Sequence, residues 1–298
     1  MRQTTGIAVT QSNALEASVK ADACARPTRT RWWMLALFSL MYLISYLDRG
    51  VISVAEPEIR AAFGLSLNDM GWVLAAFTWA YALGQIPAAW LGDRFGPKKV
   101  LSALLTWTSL AALMTGGASG IVSLFGARLF LGIGEAGAFP VATRGMHLWF
   151  PASERGRIQG ITHFFSRFAV AITPPLAGAI MLALGWRAVF YVLGVIGLLW
   201  TLVFFIVYRD LPEEHPAVND AELARIRGVR REGSMNRFST ARQTVPWGAI
   251  YRSRNMWFIA LAYCCFFGSA RESVHEPVFM RLSEERGIRS SSRPCAVP

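Results

Sequence analysis

The sequence predicts an all-α integral membrane protein, a bundle of six spanning helices followed by an incomplete seventh. Composition is the first observation behind this. The 298-residue chain is 53% hydrophobic and 16% charged, with a mean hydropathy of +0.36. Long apolar runs produce such a balance, and soluble domains of this length rarely have it. The second is spacing: six apolar segments of about 20 residues, the length of a helix that crosses a bilayer, follow one another. They lie near 32–54, 71–92, 99–119, 121–144, 159–183 and 186–208. The third is their texture. The runs are continuous rather than alternating, which favours helices over a barrel, because a helix satisfies its own backbone polar groups in lipid.

Residues 1–31 are polar and irregular and end in Arg26, Arg29 and Arg31. No short apolar core with a small-residue cleavage site follows, so they read as a cytoplasmic tail rather than a removable signal peptide. Trp32, Trp33, Trp72, Trp149, Trp186 and Tyr208 fall near the ends of the apolar runs. There they resemble the aromatic anchors of a membrane–water interface.

The loops orient the six spans, residues 32–208. Arg94, Lys98 and Lys99 lie in the 92–99 turn, and Arg155 and Arg157 in the 145–158 loop. Arg225, Arg227, Arg230, Arg231, Arg237, Arg242, Arg252 and Arg254 lie in the segment 209–254. The opposite loops are poorer in cations: 55–70 carries Glu56, Glu58 and Asp69 against one Arg60, and 117–121 has no charge. Basic loops stay inside, which puts both ends of the six-span block in the cytoplasm. This clustering also accounts for the net charge of +11 and pI of 10.2. A nucleic-acid surface is the competing explanation, and the apolar content opposes it.

The segment 209–254 reads as a soluble linker, punctuated by Pro212, Pro216 and Pro246, with a short amphipathic helix over 220–226. Its arginines read as a solvated face also attracted to anionic headgroups. A seventh apolar run, Met256 to Ala270, is short for a full crossing, and a polar tail, 271–298, follows it. A six-span block with a partial helix at 255–270 reads as a chain that stops early.

Function concentrates in the fourth span, Arg128-Leu129-Phe130-Leu131-Gly132-Ile133-Gly134-Glu135-Ala136-Gly137-Ala138-Phe139-Pro140. The spacing of Arg128 and Glu135 is close to two helical turns, so both fall on one face, roughly 10 Å apart along the axis. Charges at bilayer depth are costly, and an intramembrane Arg and Glu point first to a functional site and second to a structural ion pair between helices. The glycines keep that face small, and Pro140 allows a local break. Between the second and third spans, Asp93-Arg94-Phe95-Gly96-Pro97-Lys98-Lys99 forms a tight basic turn. Gly96-Pro97 supplies the turn and Asp93 can accept hydrogen bonds from a neighbouring helix N-terminus. Taken alone, it is a topological staple.

Gly84-Gln85-Ile86-Pro87-Ala88-Ala89-Trp90-Leu91-Gly92-Asp93-Arg94-Phe95-Gly96 resembles the signature loop of the major facilitator superfamily, including Asp93, Arg94, Gly96 and the following Lys98. Ala89 stands where that family usually has its first glycine. Tyr46-Leu47-Asp48-Arg49, the Arg128–Pro140 stretch and Glu213-Glu214-His215-Pro216-Ala217-Val218-Asn219 narrow the resemblance to the anion:cation symporter family. That family includes bacterial galactonate, glucarate and hexuronate permeases, sialin and the vesicular glutamate transporters. The resemblance covers about residues 30–265 and implies the six-helix N-terminal half of a twelve-helix fold. It also implies proton-coupled symport of an organic anion, a sugar acid or related carboxylate, across the inner membrane.

By the same resemblance, Arg49 and Arg128 hold the substrate carboxylate, Tyr81 lines their pocket, and Asp48 and Glu135 carry the coupling proton. The chemistry suits this division, since guanidinium is a permanently charged fork matched to carboxylate, whereas a carboxyl group can gain and lose a proton. Arg167 in the fifth span reads as a third buried cation, either a substrate contact favouring a dianion or an aromatic acid, or a partner for an acid. His163 reads as a hydrogen-bonded interface residue, with Gln159 one turn before it.

The implied partners are a small organic anion, protons and the lipid bilayer, with no nucleic acid and no cofactor. The rival classes are a membrane-embedded enzyme and a non-transporting scaffold or remnant of a transporter. Four scattered histidines and four cysteines (Cys24, Cys264, Cys265, Cys295) without metal-ligand spacing oppose an enzyme or metal site. An early stop favours the remnant.

Overall fold

Helix α1, Thr30–Phe63, is 34 residues long, about 50 Å at 1.5 Å per residue, so it outreaches a hydrocarbon layer of about 30 Å. The computed structural model describes residues 27–227, together with residue 248, residues 252–258 and residues 261–262. Seven further helices follow among residues 27–227: α2 Leu67–Phe95, α3 Pro97–Gly116, α4 Ile121–Ala136, α5 Ala138–Trp149, α6 Arg155–Leu184, α7 Trp186–Val207 and α8 Asp220–Arg227. Short 3-10 turns at Ala152–Glu154 and Pro212–Glu214 complete this part. A second compact unit is formed by residues 241–298, and within it residues 252, 254–258 and 261–262 are helical. The parts expected as tails, 1–26 and 271–298, lie outside the described residues.

Local chemistry sets the helix ends. Ser66 opens α2 with a capping box, its hydroxyl accepting from the Asp69 N–H at 3.1 Å while the Asp69 carboxylate accepts from the Ser66 N–H at 3.0 Å. Gly96, at φ +87°, ends α2 and lets Pro97 start α3 at its first position, where a missing N–H costs nothing.

The fourth expected span is not one continuous helix. It divides at Gly137 into α4 and α5, and Pro140 falls in the first turn of α5, where no intrahelical donor is lost.

Among the described residues, five helical stretches are long and apolar enough to cross a membrane, α4 and α5 counting together as one. Helix α2 is not among them, although a crossing was expected at 71–92. Its length of 29 residues suffices; Gly71, Trp72, Thr78, Tyr81, Gly84, Gln85 and Pro87 dilute its hydropathy.

The main packing partners are α1 with α6, α2 with α4, and α3 with α7, and α3 also lies against α4. Two apolar cores result. One joins Phe38, Tyr42, Leu101, Met146, Trp149, Phe204 and Tyr208; the other joins Leu47, Val51, Ile59, Val73, Leu124, Phe190 and Leu193. Trp149 and Tyr208 are fully buried in the first core and Trp186 belongs to the second, so these three are not interfacial anchors. The Trp149 and Tyr208 rings turn inward because the chain beyond α7 folds back over their end of the bundle, where Trp149 Nε1 donates to the Arg209 carbonyl at 2.9 Å, while Trp186 packs edge-on against Phe63 and Phe190. Trp33 and Trp72, in contrast, are exposed.

The start of the segment 209–227 is built into the bundle. Asp210 accepts from the Lys98 N–H at 2.7 Å and so caps α3. Glu222 of α8, wholly buried, accepts from the Arg31 N–H at 3.2 Å in the first turn of α1 and from the Thr28 hydroxyl. Arg225 pairs with Glu154 at 3.6 Å and Arg227 with Glu213 at 2.9 Å, so these two arginines are paired as well as exposed.

Candidate functional site

A polar layer separates the two cores. In α1 the first core ends at Ile44 and the second begins at Leu47, and Asp48 and Arg49 come directly after. Asp48 is buried, at 7% exposure. Helix α4 brings Arg128 and Glu135 into the same layer, at 2% and 0% exposure. The close approach of α4 to α2 depends on Gly132. A Cβ there would stand 2.5 Å from the Phe77 carbonyl oxygen and 2.8 Å from the Ala80 Cβ, so any side chain would push the two helices apart.

Arg49 donates its Nε–H to the Glu135 carboxylate, an ion pair between α1 and α4. The other Glu135 oxygen has no hydrogen-bond partner among the described residues. Four aromatic rings surround the Arg49 guanidinium, with centroids at 4.6 Å (Tyr81), 5.0 Å (Phe139), 5.4 Å (Tyr46) and 5.4 Å (Phe77). Its Nη2 has no hydrogen-bond partner among the described residues. Arg128 lies 5.7 Å from the Phe190 ring, and its Nε and Nη2 are likewise buried without a hydrogen-bond partner among the described residues. Asp48 lies within electrostatic reach of both Glu135 and Arg128.

A cavity of about 180 Å³ opens beside the two arginines. Arg49 and Arg128 supply its charge, Ser53 and Thr78 its hydroxyls, and Ile52, Leu74 and Phe77 its apolar wall. Burying a guanidinium with idle donors is costly unless an anion or acceptor meets them. The arrangement can therefore take a small anion between two cations, with a carboxylate, Glu135, already bound to one of them.

Arg49, Arg128, Asp48 and Glu135 thus lie in one layer, with Glu135 bonded to Arg49 of another helix. Two turns of helix separate Arg128 and Glu135 along α4, whereas α1 passes alongside Glu135. Tyr81 stands on the Arg49 guanidinium and does not line the cavity. Arg167 is exposed on α6, not buried, and is not part of the cavity wall. His163 is also exposed, with its ring 6.0 Å from Tyr42, and Gln159 donates to the Thr143 hydroxyl at 3.3 Å.

The signature turn sits at the other end of α2. Asp93 forms an ion pair with Arg144 of α5, and the cap of α3 comes from Asp210 instead. Arg94 lies 5.4 Å from the Trp90 ring, and Lys98 Nζ lies 4.9 Å from the Phe205 ring. Sequence reasoning missed Arg144, Asp210, Ser53, Thr78, Phe77 and Phe139. A signal existed for some of them. Ile52 and Ser53 follow Arg49 by one turn, and Leu74, Phe77, Thr78 and Tyr81 share one helical face.

Residues 38–282 match the family described as Major Facilitator Superfamily. The chain is 43% identical over 238 residues to a probable sulfoacetate transporter of Cupriavidus necator, covering 80% of this chain and 54% of that protein. It is 34% identical over 242 residues to a probable galactarate/D-glucarate transporter of Escherichia coli, covering 78% and 54%. To a D-galactonate transporter of Escherichia coli it is 37% identical over 203 residues, covering 68% and 47%. The chain spans about half the length of the curated relatives it matches. Among solved structures it is similar to a bacterial homologue of the human lysosomal transporter Spinster, inward-facing and unoccupied, with a TM-score of 0.54 and 25% identity over 63% of this chain and 45% of that one. A likeness of fold alone extends to the proton:xylose symporter XylE, with a TM-score of 0.53 at 16% identity over 66% and 49% of the two chains.

Proposed function

Because the chain belongs to the Major Facilitator Superfamily, a family of multi-pass membrane proteins, we propose that it supplies six helices of a proton-coupled transporter for a small organic anion. A sugar acid or a short sulfonate fits best, in line with the names of its relatives. The observation that carries this reading is Arg128, a buried guanidinium with two nitrogens that have no hydrogen-bond partner among the described residues, on the wall of a cavity it shares with Arg49.

The proposed mechanism is a competition. An incoming carboxylate or sulfonate takes donors from Arg128 and from Arg49, displacing Glu135 from the latter. Freed of its guanidinium, the buried Glu135 carboxylate accepts a proton, and Asp48, within electrostatic reach, shares the titration. Binding of anion and proton then favour each other, and by linkage each must help the other equally. Release on the other side reverses the sequence, as Glu135 loses its proton and recaptures Arg49. Alternating access in this fold comes from rocking of two six-helix halves about a midplane site. The distribution of Lys and Arg supports an inner-membrane orientation with a cytoplasmic N-terminus.

Uptake into proteoliposomes tests the reading. The expected result, for a completed transporter in which a second six-helix half joins this chain, is accumulation of labelled sulfoacetate or D-glucarate driven by an imposed pH step and abolished by Arg128→Met. Absence of both binding and uptake of every sugar acid and sulfonate tried, in the completed transporter, contradicts it.

A further inference from the structure

The competition just described leaves a question of position. When Glu135 lets go of Arg49, the guanidinium loses the one charged group bonded to it among the described residues. A long side chain freed in this way ordinarily regains rotamer freedom, which opposes holding an anion. Four rings stand round it, from three helices: Tyr46 on α1, Phe77 and Tyr81 on α2, and Phe139 on α5. The attraction between a guanidinium and the face of a ring does not depend on any proton, so it persists when the carboxylate is neutral.

Phe139 is the least expected member of this group. Glu135 is in the last turn of α4 and Phe139 in the first turn of α5, on either side of Gly137. One junction therefore delivers both the carboxylate and a ring to the same guanidinium. Phe139 is itself held edge-on by Tyr42, at 4.7 Å and 72°, and by Tyr46, at 5.7 Å and 66°. Those contacts lock its ring against the first core, where Tyr42 is buried.

We propose that Phe139 is a positioning residue which, with Tyr46, Phe77 and Tyr81, holds the Arg49 guanidinium at the anion cavity after Glu135 has released it. The inference rests on the proposed function for its purpose, though not for its geometry. Glu135 is the exchangeable partner of Arg49, and the rings are the permanent one.

The test is a double-mutant cycle on thermal unfolding of the 298-residue chain in lipid nanodiscs, pairing Arg49→Met with Phe139→Leu in a Glu135→Gln background. The midpoint lost on Phe139→Leu is expected to be clearly smaller when Arg49 is already replaced, and Phe139→Tyr is expected to preserve the midpoint. Additive losses overturn the proposal. Phe77→Leu serves the same cycle should Phe139→Leu not fold. A second arm reads sulfoacetate-induced stabilisation with Glu135 intact: about tenfold weaker apparent binding for Phe139→Leu, and a change of less than about threefold for Phe139→Tyr. Unchanged binding in Phe139→Leu also overturns the positioning role. Absence of any anion effect in the unmodified chain counts against the transport reading instead, and the unfolding cycle then decides the ring contacts alone.

Discussion

Arg49 and Glu135 are 86 residues apart in the chain and form an ion pair between α1 and α4, while Arg128, on the same helix as Glu135, has two guanidinium nitrogens without a hydrogen-bond partner among the described residues. The pairing gives two similar cations different surroundings. In the proposed mechanism Arg128 is the standing anion anchor, and Arg49 is the anchor whose availability depends on the protonation of Glu135.

Replacing either arginine with lysine keeps the charge and removes the planar fork. Arg49→Lys and Arg128→Lys are expected to weaken sulfoacetate or D-glucarate binding by about tenfold or more, because a point charge replaces two directed bonds. Calorimetric titration of each variant against the unmodified chain measures the loss. Affinities retained in both variants remove the arginines from the site.

The fold class was legible because bilayer thickness imposes run length, and the pair of Arg128 and Glu135 stood out because charge in an apolar run is conspicuous. What could not be read was pairing between helices. Periodicity gives the face a residue occupies and not the helix that meets it, so Arg49–Glu135 and Asp93–Arg144 were invisible. Trp149 and Tyr208 misled for a related reason. An aromatic at the end of a run suits an interface equally well as a core, and only the return of residues 209–227 over that end decides. Phe139 was hidden because a break allowed at Pro140 does not say which helix the ring then meets, and the division at Gly137 brings it to Arg49 of α1.

Orientation is testable by site-directed labelling in a chain cleared of native cysteines. Cysteine at position 98 is expected to react from the cytoplasmic side and at position 69 from the outside, following the basic loops. Labelling of position 69 from the cytoplasm alone inverts the map.

The buried Glu222 joins α8 to the start of α1. Glu222→Ala strips the Arg31 N–H and the Thr28 hydroxyl of their acceptor and is expected to cost about 1–2 kcal/mol, the usual loss for a helix cap or an orphaned buried donor. Chemical denaturation of the two chains in micelles gives the difference. Equal stability contradicts a structural role for the return segment.

Asp210 gives the pH prediction. Burial raises its carboxyl above the ordinary 3.8, outweighing the Lys98 N–H bond that lowers it. A raised value means the folded chain holds this proton more tightly than the unfolded chain does. Its contribution is therefore most favourable below 3.8 and declines as pH climbs through the folded value. Asp210→Asn keeps an oxygen for the Lys98 N–H and loses the decline, so it is expected to gain relative stability between acidic and neutral pH. A melting-temperature series across that range decides it. A variant that loses ground as pH rises shows that the carboxylate charge stabilises the α3 N-terminus.

The competition between Glu135 and the anion for Arg49 is tested most directly by counting protons during anion binding, in weakly buffered micelles with an indicator dye. Adding sulfoacetate or D-glucarate to the unmodified chain is expected to draw protons from solution in proportion to the anion bound. Glu135→Gln, which keeps the shape and much of the hydrogen bonding of the protonated acid, is expected to bind the anion while drawing markedly fewer. Proton uptake by Glu135→Gln equal to that of the unmodified chain contradicts the account.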